Sequence, residues 1–182
     1  AAIAGQRTAL NLLNVKKEDL KRGDVLAYPG SLVPSALVDV KLSIFQTSDR
    51  ELKSGDRIHL NYGSAQTIAK AVLKDQDRIA RGESAYAQLR FDEPVVLKRN
   101  DRFIIRFLSP VETFGGGIVL DASPCKHRRG DPQVMESLGI KEKGTDLEVM
   151  ELMIKEESRN FPCAGRIAAN MDLPKSRVVQ LM

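Results

Sequence analysis

Few side chains in this sequence could carry acid–base or nucleophilic chemistry. The 182 residues include only two histidines. His59 lies in an alternating strand pattern, which favours a structural histidine over a catalytic one. Asp92 and Glu93 form a carboxylate pair, but neighbouring carboxylates at a turn are usually solvated, and acid–base catalysis needs groups that the fold brings together. The sequence therefore predicts no catalytic residue and indicates a binding scaffold.

A metal site and a disulfide framework are also excluded. Cys125 and His127 lie close together, but two ligands do not make a zinc site. The only other cysteine, Cys163, lies too far away for a CxxC motif. We expect no metal or cofactor in this region. Free cysteines, the absence of a signal-peptide pattern and the absence of a bilayer-length apolar run together predict a cytoplasmic protein without a membrane partner.

Three consecutive glycines, Gly115 to Gly117, stand out between two apolar runs. Glycine permits a close approach of backbone to backbone or to a ligand. A phosphate cradle is disfavoured, because no Lys-Ser or Lys-Thr follows the glycines and a strand comes next instead of a helix. We predict a barrel corner or a device that closes a barrel.

The formal net charge is +4 and the pI is about 9.1, which permits a polyanionic partner without requiring one. The densest basic cluster is Lys126, His127, Arg128 and Arg129. A short basic stretch of this kind is either a solvated connector or a nucleic-acid contact. The first interpretation is favoured, and the second remains open.

The elements that position these residues are mainly β. Alternating or β-branched runs predict an antiparallel barrel or sandwich between residues 36 and 121. We predict strands over residues 37–45, 57–62, 64–73, 86–91, 95–97, 103–108 and 118–120, and a loop over 75–84. A short apolar run at 8–13 indicates that the chain begins inside a domain, and residues 25–27 predict a strand before a domain boundary near residues 28–35.

After residue 123 the pattern becomes helical. Pro124, Gly130 and Pro132 indicate a linker, a helix follows from Thr145, and Phe161-Pro162 ends it. Residues 163–182 then predict a helix-turn-helix, with Pro174 at the first position of its second helix. The β-hairpin of a winged helix does not follow, so we expect a partial winged helix.

Four blocks of sequence resemble the translational GTPases of the elongation factor Tu class. They are residues 4–12 (AGQRTALNL), 20–27 (LKRGDVLA), 54–60 with 68–71 (SGDRIHL, IAKA), and 88–95 with 101–106 and 113–119 (QLRFDEPV, DRFIIR, TFGGGIV). Within that class the first and last blocks look most like the bacterial selenocysteine-specific elongation factors. The resemblance divides the chain into the end of a second β-barrel (1–30), a third β-barrel (31–122), a linker (123–144) and the start of a winged helix (145–182).

The resemblance implies partners for the intact factor. It would bind GTP with magnesium, selenocysteinyl-tRNA, the ribosome and a hairpin in selenoprotein mRNA. The GTPase domain would lie outside this chain, since no GxxxxGK[ST] motif is present. The winged helices that bind mRNA come last in this family, so residues 131–182 would act as a spacer.

In this class the third barrel contacts the phosphates and sugars of the tRNA T-stem, as shape-based recognition of RNA requires. Carried over by position, Arg57, Gln66, Glu93 and Ser109 would lie near that surface. Glu93 cannot donate to phosphate. The predicted tRNA-binding residues are therefore Arg57, Gln66, Arg90, Arg106, Ser109 and Thr113.

A second hypothesis is a DNA-binding transcription regulator built from a β domain and a helix-turn-helix. Lys175 and Arg177 lie at the start of the predicted recognition helix, where base-reading donors belong. This reading leaves the barrel blocks unexplained.

Overall fold

A computed structural model describes residues 3, 5–29, 31–158 and 163–181. Its centre is a closed antiparallel barrel of six strands in the order β1-β6-β4-β3-β7-β8, with β8 pairing back onto β1. A mainly β fold with an antiparallel barrel is thus confirmed. The strands are β1 (Ser35–Ile44), β2 (Leu52–Lys53), β3 (Arg57–Tyr62), β4 (Ala65–Leu73), β5 (Arg78–Ile79), β6 (Ser84–Val95), β7 (Arg102–Arg106) and β8 (Thr113–Asp121).

Alternation in the sequence explains the barrel wall. In β1 the side chains of Val38, Val40 and Leu42 are fully buried, and in β3 those of Ile58 and Leu60 are. The residues between them point outward, because successive strand side chains face opposite sides of a sheet. The inward residues of all six barrel strands form one hydrophobic core.

Gly115, Gly116 and Gly117 lie inside β8, whereas the sequence predicted a strand that begins after them. The difference arises because β8 pairs on both sides, with β1 and with β7. A Cβ at Gly115 would lie 2.4 Å from the carbonyl oxygen of Ser43, and one at Gly117 would lie 2.4 Å from that of Lys41. The glycines therefore let three backbones approach where the barrel closes.

Two further strand predictions were wrong. The predicted strand 86–91 and the first residue of the predicted strand 95–97 belong to one strand, β6, because the exposed residues 92–94 do not interrupt it; Val96 and Leu97 lie beyond its end. Its end pairs with Ser35 after a register shift, and a proline is tolerated at such an irregularity. The predicted loop 75–84 contains β5, which pairs with β2.

Neither residues 25–27, predicted to be a strand, nor the apolar run 8–13 forms a strand. The segment contains only the short 3₁₀ helix Lys17–Asp19, and almost all of its side chains are exposed. A strand needs a neighbour for its ladder of hydrogen bonds, and no described residue supplies one here. The segment contacts the barrel at the β3–β4 turn, where Arg22 Nε donates to the carbonyl oxygen of Ser64 at 2.9 Å.

Four helices follow the barrel: α1 (Pro132–Lys143), α2 (Asp146–Glu157), α3 (Ala164–Met171) and α4 (Lys175–Leu181). Helix α1 lies within the predicted linker, which is the main correction to the helical part. Pro132 reads as a linker signal in the sequence, but it occupies the first turn of α1 after the N-cap Asp131.

The helix predicted from Thr145 is confirmed as α2. Thr145 and Glu148 form a capping box at its start. The predicted stop at Phe161-Pro162 lies outside the described residues. The predicted helix-turn-helix forms as α3 and α4, with a left-handed Asp172 at the turn, but Pro174 precedes α4 instead of occupying its first position. A second core unites α2, α3 and α4.

Candidate nucleic-acid interface

The outer faces of four neighbouring barrel strands carry most of the predicted RNA contacts. In β3 the outward residues are Arg57, His59 and Asn61, because Ile58 and Leu60 fill the core. In β4 the same alternation turns Gln66, Ile68 and Lys70 outward. We call the outward surface of β7, β3, β4 and β6 the β3–β4 face.

Strand register aligns three cations across this face. Arg57 of β3 is paired with Lys70 of β4, and Lys70 is paired in turn with Arg90 of β6. Side chains directly opposite each other on neighbouring strands have Cβ atoms about 5 Å apart. Arg57, Lys70 and Arg90 therefore form a row across the face, which we call the cationic row.

A second row runs through Arg106. Arg106 of β7 is paired with His59 of β3, which is paired with Ile68 of β4. Thr113 of β8 lies opposite Arg106 on its other side. Of the six predicted residues, Arg57, Gln66, Arg90 and Arg106 thus share one face, and Thr113 lies at its edge.

Ser109 is not on a strand. It lies in the exposed loop between β7 and β8, where its peptide bond to Pro110 is cis. The guanidinium of Arg106 lies 3.5 Å from the carbonyl oxygen of Val111 in the same loop. Ser109 is therefore next to the β3–β4 face without being part of it.

The three residues of the cationic row differ in their ion pairs and in their burial. Arg57 is ion-paired with Asp92 of β6, and both side chains are exposed. Arg90 is half-buried, and its Nε has no hydrogen-bond partner within the described part of the chain. Among the described residues no carboxylate pairs with the exposed Lys70. Lys70 and Arg90 therefore have charge available for an anion, whereas Arg57 must first leave Asp92.

The carboxylates at the end of β6 border the row. Asp92 and Glu93 are both exposed, as their positions in the sequence indicated. Asp92 is nevertheless engaged by Arg57, so the two carboxylates do not act as a pair.

Lys70 and His59 are not among the predicted RNA contacts. His59 is a half-buried outward residue whose Nδ1 lies 3.4 Å from Gln66 Nε2, so its ring is not part of the core. The sequence feature that could have placed both residues on the outward face is the period-two alternation of β3 and β4. The pairing of Lys70 with Arg57 and Arg90 could not be read without the register.

The basic cluster at 126–129 packs against β1 and against the connection that follows β4. His127 Nε2 lies 2.9 Å from Oδ2 of the fully buried Asp39, and Arg129 is ion-paired with Asp77 at 2.5 Å. The backbone of His127 accepts a hydrogen bond from Lys74, whose pKa burial lowers. The cluster is thus partly used to attach the chain to the barrel, so it is not simply a solvated connector.

Other site types find no support in the described part of the chain. Within it, no group of three or more His, Cys, Asp or Glu side chains could hold a metal ion. No helix there is long and apolar enough to cross a membrane. Cys125 and Cys163 are both exposed and free.

Comparison with known proteins agrees with the barrel geometry. Residues 38–126 match a family described as the β-barrel domain of the selenocysteine-specific elongation factor. A selenocysteine-specific elongation factor from Desulfomicrobium baculatum is 37% identical over 173 residues, which is 94% of this chain and 27% of that protein. One from Escherichia coli (strain K12) is 28% identical over 138 residues, 75% of this chain and 20% of that protein. The chain thus spans about a quarter of the length of these relatives, and none of these matches supports a DNA-binding regulator.

Proposed function

This chain belongs to the selenocysteine-specific elongation factor family, and we propose that it supplies part of the surface that holds selenocysteinyl-tRNA in such a factor. The observation that carries the proposal is the cationic row of Arg57, Lys70 and Arg90. Phosphates attract such a row without reading base sequence. A-form RNA presents phosphates and 2′-hydroxyls across its wide, shallow minor groove.

The residues have different roles in this proposal. Lys70 and Arg90 donate to phosphate oxygens, and Arg57 joins them after leaving Asp92. Gln66, Thr113 and Ser109 offer uncharged donors for sugar hydroxyls and phosphates at the side of the face. Arg106 approaches the backbone at the edge nearest the β7–β8 loop.

For the intact factor, we propose GTP-dependent delivery of this tRNA to the ribosome at recoded UGA codons, in the cytoplasm. GTP and magnesium would bind a GTPase domain, and the mRNA hairpin would bind winged helices; this chain has neither role. We propose that α1 to α4 serve as a spacer. The strongly acidic sequence of α1 and α2 favours this role, since residues 131–157 contain eight Asp or Glu and three Lys.

The proposal is tested by charge reversal on the face. Arg57→Glu should weaken binding of selenocysteine tRNA to the chain, and Lys70→Gln should lower the slope of log K against log salt by about 1, as loss of one phosphate contact does. Fluorescence anisotropy with labelled tRNA at several salt concentrations measures both quantities.

Two further variants sharpen the test. Lys143→Glu, an exposed lysine of α1, is the matched control and should leave affinity and slope nearly unchanged. Asp92→Asn should increase affinity a few-fold, because an exposed ion pair of about 0–1 kcal/mol no longer competes for Arg57. Equal effects of Arg57→Glu and Lys143→Glu would contradict the assignment of this face.

A further inference from the structure

The strongest unexplained feature is a buried lysine at the junction of the barrel and the helices. The Lys141 side chain is 2% exposed. Its Nζ lies 2.7 Å from Oδ2 of Asp121, the last residue of β8, and 2.8 Å from Oε2 of Glu156 in α2. One ammonium group of α1 therefore joins three elements.

At this junction one ammonium group lies between two carboxylates. Burial alone would lower the pKa of Lys141, but the attraction of Asp121 and Glu156 outweighs it and raises that pKa above its usual value. Lys141 is therefore charged at neutral pH. Removing one member of such a group leaves an uncompensated buried charge, which is strongly unfavourable.

Polar contacts on both sides of Lys141 also join the barrel to the helices. The guanidinium of Arg99, in the β6–β7 connection, donates to the carbonyl oxygen of Lys141 at 2.8 Å. The neighbouring Glu142 accepts from Lys41 Nζ and from the Tyr86 hydroxyl, each at 2.5 Å. Lys98 is ion-paired with Asp172, at the end of α3, at 2.8 Å.

The segment between β8 and α1 also forms hydrogen bonds with the barrel. Gln88 Nε2 donates to the carbonyl oxygen of Cys125 at 2.9 Å, and His127 contacts the buried Asp39. The barrel core and the helical core share no residue. Directional polar contacts lie between the two cores, and such contacts favour one arrangement more than apolar packing does.

We propose that Lys141 is the centre of an ionic clamp that makes the barrel and the helices one rigid body. A displacement of α3 or α4 then moves β8 and β1 with it, which a flexible linker would not allow. The proposal does not depend on what the barrel binds, so it can fail or hold independently of the tRNA assignment.

Spin-label distance measurements test the clamp. In the full chain with Cys125→Ser, one label is placed on the native Cys163 at the start of α3 and the other on Thr47→Cys, an exposed position in the β1–β2 loop. A rigid body gives one narrow distance distribution. A broad distribution in this otherwise unsubstituted chain would overturn the proposal.

Lys141→Met is then compared with Lys143→Met, which changes an exposed lysine of the same helix. The distribution should at least about double in width in Lys141→Met, because Asp121 and Glu156 lose their common partner, and should stay narrow in Lys143→Met. Equal widths in the two variants would contradict the clamp. Glu156→Gln keeps size and shape and should broaden the distribution less; it replaces Lys141→Met in the test if circular dichroism shows that the latter does not fold.

Discussion

At the scale of single residues, the polar contacts differ in their exposure to solvent. Arg57 and Asp92 are exposed on the β3–β4 face, so their ion pair is easily exchanged for a contact with an anion. Glu142 at the helical junction is mostly buried and receives hydrogen bonds from Lys41 and Tyr86. The first kind of contact suits reversible binding, and the second suits a fixed connection.

Glu142 predicts a dependence of stability on acid pH. Burial tends to raise the pKa of its carboxyl, but Lys41 and Tyr86 outweigh this effect and lower that pKa below 4.5. A group with a depressed folded-state pKa contributes stability above its unfolded pKa and loses it as the pH falls through the folded value. Urea unfolding should therefore show that wild-type stability falls below about pH 4.5 more steeply than that of Glu142→Gln.

The pKa of Tyr86, the hydrogen-bond partner of Glu142, is shifted upward. Burial, with a smaller effect of Glu142, raises the pKa of Tyr86 to about 12. The Tyr86 hydroxyl therefore remains protonated, and able to donate to Glu142, at every pH where the acid transition is measured.

A matched control for Glu142→Gln is Glu136→Gln in the same helix, whose stability should follow the wild-type pH curve. A parallel shift of both variants would contradict the role of Glu142.

At the scale of elements, β8 is the least tolerant part of the barrel. A Cβ at Gly117 would lie 2.5 Å from the Phe103 ring in addition to its contact with the carbonyl oxygen of Lys41. Neither β1 nor β7 can move away without opening the barrel, because β8 pairs with both. The glycines are thus required by the closure of the sheet.

We expect Gly117→Ala to destabilise the chain by about 1–3 kcal/mol or more, the usual cost of overpacking. Gly139→Ala is the control, because Gly139 lies inside α1 with no neighbouring atom within 4 Å of an added Cβ. It should stabilise the chain by up to about 1 kcal/mol through helix propensity. Urea unfolding measures both changes, and a stable Gly117→Ala variant would show that β8 can shift.

At the scale of the whole molecule, acidic charge is concentrated in one segment. The barrel carries the cationic row, whereas residues 131–157, which include α1 and α2, have a net charge of −5. A polyanion is attracted to the row and repelled by this segment. The clamp at Lys141 lies where the helices meet Lys41, Lys98 and Arg99 of the barrel.

This division predicts the footprint of RNA on the chain. Hydrogen exchange with and without selenocysteine tRNA should show protection in β3, β4 and the β7–β8 loop. Peptides from α1 and α2 should exchange at unchanged rates, because the net negative charge of residues 131–157 repels phosphates. Protection confined to α1 and α2 would contradict both the proposed face and the spacer role.

The sequence by itself determined the elements that have a strong local signal. Period-two alternation predicted β1 and β3, and the helical spacing of apolar residues from Thr145 predicted α2. The quoted blocks also indicated the family. Helix α1 was missed because proline in a linker and proline in the first turn of a helix look alike until the N-cap is seen.

Only the tertiary structure decided which distant residues meet. The register of β3, β4 and β6 placed Lys70 between Arg57 and Arg90, and no local pattern encodes register between strands that are far apart in sequence. The burial of Lys141 between Asp121 and Glu156 was equally hidden, since lysine is almost always a surface residue. Local propensities are set by neighbouring residues, whereas these contacts arise from the closure of the barrel and the docking of the helices onto it.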